Sequence, residues 1–187
     1  MCEQKATISW DTTLLDDGVY QTRAYAWDIA GNKSVQEFTE FFTIDNTGPS
    51  KIVLSETTAT SSTVSIRWND VTENDFAYFQ VEQKIDNEFV SVGTEDNVLG
   101  MHITGLSSNK KYQFRVVGYD NLGNRGVPSD VTEITTTADN VNPYIDNFAP
   151  AQSYFRNKIN LAITAKDNCA VSGLSCIILP IKKLGRV

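Results

Sequence analysis

Residue types that do chemistry are thinly spread along this chain. It holds one histidine, His102, and three cysteines, Cys2, Cys169 and Cys176, in 187 residues. A general base needs a nucleophile or acid held against it. No Gly-x-Ser-x-Gly or similar motif accompanies His102, which takes an outward phase in the short strand Met101-His102-Ile103. It reads as a solvated surface histidine. The carboxylate pairs Asp16-Asp17 and Glu73/Asp75 lie in turn sequences, where a β-rich chain keeps its acids. No glycine-rich phosphate loop occurs, and three cysteines without Cys-x-x-Cys spacing spell neither a zinc site nor a disulfide framework. No catalytic, cofactor-binding or metal residue is assigned, and the expectation is a protein that is not an enzyme.

Oxygen ligands at short spacing occur in Asp28-x-x-Gly31-Asn32 and Asp120-x-x-Gly123-Asn124. Calcium wants about six to eight oxygens, and a calcium loop gathers most of them within a dozen residues. These two sites offer too few and read as hairpin turns, with Gly and Asn supplying positive φ. Asp45-Asn46 and Asp139-Asn140, placed between units, are better positioned for calcium. Asp and Asn ahead of Pro also simply end strands, so calcium binding there is expected to be weak or absent.

These residues are carried by strands. Val64-Ser65-Ile66-Arg67-Trp68 alternates apolar and polar with period two, as a half-buried strand does. Further strands are expected at Ile52–Leu54, Phe79–Val81, Glu88–Val92, Met101–Ile103, Tyr112–Val116 and Val131–Thr137, with a hairpin turn at Asp86-Asn87. No helix-period segment of useful length is present. Hydrophobic residues make up 41% of the chain, and the polar remainder is dominated by Thr, Ser, Asn and Asp, which favours strands and turns. The fold class is all-β. Residues 1 to 139 carry 10 Lys and Arg against 21 Asp and Glu, and residues 140 to 187 carry 6 against 2. An acidic main body argues against a nucleic-acid backbone as partner. No window reaches the roughly 18 apolar residues of a membrane span, and Met1-Cys2-Glu3-Gln4-Lys5 is not the start of a signal peptide.

An internal repeat fixes the organisation. Leu14 to Asn32 aligns with Leu106 to Asn124 at a constant offset of 92, with identical Leu, Tyr, Gln, Arg, Asp, Gly and Asn and with Trp27 over Tyr119. Asp45-Asn46-Thr47-Gly48-Pro49 aligns with Asp139-Asn140-Val141-Asn142-Pro143 at 94. A unit of about 93 residues suits one small sandwich of roughly 100 residues. Three divisions follow: 1–47 with the last strands of a unit, 48–139 complete, and 140–187 with the first strands of another. The ends are too short for whole domains, so the chain reads as a piece of a longer array. The closing Cys176 to Val187 fits the repeat poorly and suits a frameshifted or truncated end, and its Leu179-Pro-Ile-Lys-Lys-Leu-Gly lacks the Thr, Gly and apolar tail of a wall-sorting signal.

Pro49, Trp68 on the second strand, Phe79-Gln80-Val81 on the third, Leu106 followed six residues later by Tyr112, the Gly123-Asn124 hairpin, Pro128-Ser129 and the closing Thr run stand in one order. In that order they resemble the fibronectin type III family. The resemblance implies tandem β-sandwiches with Trp68 in the core and a structural corner at Leu106 and Tyr112, where the tyrosine hydroxyl bonds back to the preceding loop. On this reading Tyr112→Phe would leave an acceptor unpaired. Residues 1 to 47, with Asp16-Asp17-Gly18-Val19-Tyr20 and Phe42 to Pro49, resemble the ends of bacterial immunoglobulin-like repeats of large surface proteins.

The function these resemblances imply is a non-catalytic extracellular or cell-surface spacer or adhesion module of a bacterial multidomain protein. Its partners would be neighbouring domains of the same polypeptide and a host or cell-surface protein or glycan. The alternative is an accessory segment of a secreted polysaccharide-degrading enzyme. Counting outward from Tyr112, Phe114 and Val116 sets Gln113, Arg115, Val117 and Tyr119 toward solvent, with Tyr78 beside them. Tyr78, Arg115 and Tyr119 are the candidate contact surface, and the same alternation exposes Tyr25 and Trp27. Tyr119→Ser is accordingly expected to be nearly neutral.

Overall fold

The computed structural model describes residues 5–34, 38–96, 98–150 and 160–177. Eleven strands are present and no helix among the described residues, so no helix there is long and apolar enough to cross a membrane.

The central unit begins with β3 (Leu54–Ala59), β4 (Val64–Trp68) and β7 (Gly100–Ile103), which form a three-stranded antiparallel sheet in the order β3-β4-β7. Its partner sheet runs β6-β5-β8-β9, with β5 at Phe76–Ile85, β6 at Glu88–Glu95, β8 at Lys111–Asp120 and β9 at Thr132–Thr135. Alternation turns one face of each sheet inward. Ile52, Val64, Ile66 and Trp68 meet Phe79, Val81, Phe114 and Val116 in a continuous buried cluster, closed by Ile103 and Tyr112. Trp68, 2% exposed, packs on Phe79 with ring centroids 5.2 Å apart. Its Nε1 has no hydrogen-bond partner among the described residues.

Several strands are longer than their apolar runs. β5 spans Phe76–Ile85 where Phe79–Val81 was expected, because pairing to both β6 and β8 carries its polar ends. β3 runs through Ser55, Glu56, Thr57 and Thr58, beyond the expected Ile52–Leu54. It is an edge strand with a register shift between Leu54 and Glu56, and period-two patterning is weak on such a strand. Leu161 and Ile163, which alternate with Ile159 in the sequence like an early core strand, lie on a strand at Leu161–Lys166, whereas Ile159, Cys2 and residues 178–187 lie outside the described residues. The β5–β6 turn is the two-residue type whose central residues both have positive φ, Asp86 at 49° and Asn87 at 73°.

On either side of this unit lies a two-stranded sheet. β1 (Gly18–Ala24) pairs with β2 (Phe38–Ile44), and β10 (Tyr144–Pro150) with β11 (Leu161–Lys166). The first hairpin repeats the pairing of β8 with β9 at the offset of 92: Tyr20 stands opposite Phe42 as Tyr112 stands opposite Ile134. The correspondence reaches single hydrogen bonds. Asp28 N–H donates to the Asn32 carbonyl and Ser34 N–H to the Ala26 carbonyl, as Asp120 N–H donates to Asn124 and Gly126 N–H to Gly118. Gly31 and Gly123 hold φ of 86° and 88°. The last hairpin continues the register of β3 with β4 displaced by 94, since Pro150 opposite Leu161 takes the place of Glu56 opposite Arg67.

The connection at residues 45–50 is hydrogen-bonded on both sides. Asn46 Nδ2 donates to the carbonyls of Thr12 (2.9 Å) and Leu15 (3.0 Å), and Asn46 N–H to Asp17 Oδ1 (2.6 Å). From the other side Asn124 Nδ2 donates to the Asp45 carbonyl (3.0 Å), and Val127 N–H to the Pro49 carbonyl (3.2 Å). Gly126 lies flat against the Pro49 carbonyl and Gly48 against Arg125, so a Cβ at either position would run into backbone. The following connection is held at the loop between β3 and β4: Asn168 Nδ2 donates to Ser61 Oγ (3.0 Å), and Ser62 Oγ to the Asn168 carbonyl (2.9 Å).

Candidate functional site

The outward side of the β6-β5-β8-β9 sheet carries most of the side chains that could meet a partner. Register alone sets its rows: Tyr78 opposite Tyr119, Gln80 opposite Val117, Glu82 opposite Arg115. Glu82 is 4% exposed and is the anchor of the face. Arg115 Nε donates to its Oε2 at 2.6 Å, and Arg125 Nη2 to both of its oxygens at 3.1 Å. Burial pushes the Glu82 carboxyl up, but hydrogen bonds and charge from Arg115 and Arg125 outweigh this and hold it below the ordinary carboxylate range. Arg115 also lies 3.8 Å over the Phe89 ring, a cation–π contact. Tyr78 and Tyr119 stack with centroids 5.0 Å apart and planes 6° from parallel.

Two expectations for this face need correction. Val117 was set toward solvent and is 0% exposed. Arg125 bridges to Tyr119 on the far side of β8, so to reach Glu82 it must cross the row of Val117 and Gln80. An outward phase is therefore not an exposed one. Tyr78 and Tyr119 point outward, but each is half-buried by the other, and the Arg115 side chain keeps 24% of its exposure. The three candidate contact residues lie on one face, with Glu82, Phe89 and Arg125 joining them. Lys33 over Arg125, one residue beyond the aligned repeat, was the available signal for a cation at this position.

At the corner, Tyr112 is buried and its hydroxyl accepts the backbone N–H of Ser107 at 2.8 Å. The expected polarity is reversed, and its loss would free a donor rather than an acceptor. Leu106 packs on the core beside it. The equivalent Tyr20 bonds with the opposite sense, its hydroxyl donating to the Asp16 carbonyl at 2.8 Å. In the first unit Tyr25 is half-buried under Lys33, whose Nζ lies 3.3 Å from the ring centroid, and Trp27 is exposed.

Strand register brings Ser65 opposite His102, with Oγ and Nδ1 2.6 Å apart, a pair that sequence spacing does not reveal. The pair is exposed, and no carboxylate is bonded to the imidazole among the described residues. It lacks the orienting group of a catalytic triad. The Asp28 and Asp120 carboxylates are occupied locally, each accepting both the backbone N–H and the Nδ2 of Asn32 or Asn124. Acidic groups do gather at both connections. Asp45, Asp75 and Asp120 place ligand atoms within 4.8 Å of one another, and so do Asp139, Asp167 and Cys169. Burial opposes ionisation of Asp120, but donors from Asn124, Leu122 and Gly123 prevail and lower its pKa.

Comparison with known proteins places the central unit. Residues 48–135, just under half of the chain, match the family model described as Fibronectin type III domain. A curated zebrafish (Danio rerio) protein, "Receptor-type tyrosine-protein phosphatase F", is 31% identical over 90 residues, which are 47% of this chain and 5% of that protein. The chain therefore spans about one-twentieth of that relative's length. Among solved structures, the fibronectin type-III domain of human fibronectin type III domain containing protein 3 is 22% identical, with a TM-score of 0.45 and coverage of 51% of this chain and 93% of that one. The chicken CNTN1 FN1-FN3 domains are 20% identical, with a TM-score of 0.47 and coverage of 68% and 46%. Two packed antiparallel sheets with this strand order, together with the match over residues 48–135, make the central unit a fibronectin type III domain.

Proposed function

We propose that this chain is a non-catalytic stretch of an extracellular multidomain protein, bacterial on the resemblance of residues 1 to 47, which spaces its neighbours and touches a partner through the face holding Tyr78, Arg115 and Tyr119. Its divisions are 1–47, 48–139 and 140–187, the outer two being parts of immunoglobulin-like sandwiches. Fibronectin type III domains serve as spacers or binding modules, and fold alone does not choose between these uses.

The observation that carries the spacer reading is the connection at residues 45–50. A flexible linker leaves its polar groups to water, whereas here Asn46 bonds to Thr12 and Leu15 on the preceding side and Asn124, from the central unit, bonds to the Asp45 carbonyl. Such a joint transmits orientation as well as distance. Small-angle X-ray scattering of the full chain and of the Asn46→Ala/Asn124→Ala variant tests it. The expected result is a narrow distribution of maximum dimension for the unmodified chain and a broader one for the variant. Equally broad distributions would remove the spacer reading. A longer sandwich array in the flanking coding sequence fits this function, and an adjoining glycosidase domain contradicts its surface-protein part.

A further inference from the structure

Charge on the central unit is segregated. Residues 48–135 contain seven Lys and Arg against twelve Asp and Glu. Alternation along β5, β8 and β9 puts Lys84, Lys111 and Arg115 on the outer face of the four-stranded sheet, and the bridge to Tyr119 adds Arg125. Among the acids of these strands the same alternation puts Glu82 and Glu133 there, with Asp86 beside Lys84 and Lys111 at one end and Asp96, just past β6, opposite Tyr78 at the other. In an acidic unit the middle of this face, where Arg115 and Arg125 share Glu82 beside the stacked tyrosines, is thus locally cationic. Arginine and tyrosine are the residue types enriched where binding energy concentrates.

We propose that this face docks a carboxylate-bearing segment of a partner polypeptide, received by Arg125 and Arg115 beside the Tyr78–Tyr119 pair. The inference rests on the contact-surface reading above and adds the chemistry of the partner. Two guanidiniums share the single Glu82 carboxylate, so the cluster keeps one positive charge in excess. Arg125 reaches Glu82 through Nη2 and keeps 38% of its side-chain exposure, and a guanidinium has five donors suited to bidentate carboxylate.

The recurrence at an offset of 92 is an independent observation. Arg23 and Lys33 repeat the cations of Arg115 and Arg125, and Trp27 repeats the aromatic of Tyr119, with Trp27 bridged to Lys33 as Tyr119 is to Arg125. Core packing does not require cations at outward positions, so their return in a second unit points to a shared use. An extended polyanion is the less suitable occupant. The chain is at −7 overall, and nucleic acid binding draws on many phosphate contacts. A local carboxylate on a protein segment fits a strip a few residues wide.

The test titrates the isotopically labelled full chain, followed by amide NMR, with a capped Asp-Glu-Tyr-Glu-Asp peptide. Controls are the Lys-Gln-Tyr-Gln-Lys peptide, a uronate-containing oligosaccharide, a neutral oligosaccharide and a short single-stranded oligothymidine. The expected result is movement of the amides of residues 78–84 and 113–119 by the acidic peptide alone, weakening with salt. Arg125→Gln, in which Arg115 still pairs Glu82, should weaken binding about fivefold or more. If that variant does not fold, Lys84→Gln on the exposed rim should give a smaller loss in the same direction. Equal response to the basic peptide, amide shifts elsewhere, preference for the oligothymidine, or unchanged affinity in every variant would overturn the proposal. Silence toward the acidic peptide with a response of the same amides to either oligosaccharide would overturn this inference and leave the contact surface standing. Silence toward every probe would overturn both.

Discussion

Tyr112 contributes through its ring and its hydroxyl separately, and the two can be measured apart. The ring is buried between the sheets, so Tyr112→Ala should cost about 3–5 kcal/mol, as large-to-small aromatic changes in cores do. The hydroxyl holds the N–H of Ser107, an exposed residue whose freed donor can take up water, so Tyr112→Phe should cost only about 1 kcal/mol. Tyr119→Ser, expected to be nearly neutral from phase alone, loses the stack on Tyr78 and should cost about 0.5–1.5 kcal/mol. Denaturant melts of the three variants check the order, and Tyr119→Ser as the most damaging would mean that strand β8 is out of register. Glu82 supplies a pH-dependent prediction. Its carboxyl titrates below its ordinary value when folded, so the unfolded chain takes up the proton first as pH falls. The stabilisation is fully present above the unfolded pKa of about 4.3 and is lost as pH drops through the lower folded value. Glu82→Gln should lower the urea midpoint at neutral pH and flatten its decline below about pH 4.3. Parallel curves for the two proteins would contradict the role assigned to the two arginines.

At the scale of elements, patterning was legible where one face is buried and the other wet. Val64–Trp68 alternates cleanly because β4 lies between β3 and β7 with its inner face in the core. Leu54–Ala59 did not read as a strand because an edge strand buries little and its Thr and Glu residues carry no alternation. Pairs that depend on register were out of reach. Glu82 and Arg115 are 33 residues apart and Ser65 and His102 are 37 apart, and only the antiparallel pairings of β5 with β8 and β4 with β7 bring them opposite. Val117 shows the limit of period two itself. Alternation gives the direction of a side chain but not what crosses over it, and Arg125 stands outside the alternating strand, in the connection that follows β8. The repeat carried the most information, because Tyr20 and Tyr112, Asp28 and Asp120, and Gly31 and Gly123 answer the same local demands of one hairpin built twice.

At the scale of the whole molecule, the connections decide whether three units act as one. Acids collect at both, Asp45 with Asp75 and Asp120, and Asp139 with Asp167 and Cys169. Three ligand groups fall short of the six to eight oxygens calcium prefers, and Asp120 already accepts donors from Leu122 and Asn124. Millimolar calcium is therefore expected to leave the melting temperature unchanged. A rise that disappears in Asp45→Ala/Asp139→Ala would contradict this by linkage. The hydrogen bonds across residues 45–50 act between units, while the buried cluster from Ile52 to Val116 lies entirely within the central one. Residues 48–139 are therefore expected to be a self-sufficient module, held in place by its neighbours but not folded by them. Thermal and urea unfolding of residues 48–139 expressed alone tests this most directly. One sharp transition, with a midpoint close to that of the same strands in the full chain, is the predicted result; a broad, non-cooperative melt would contradict it.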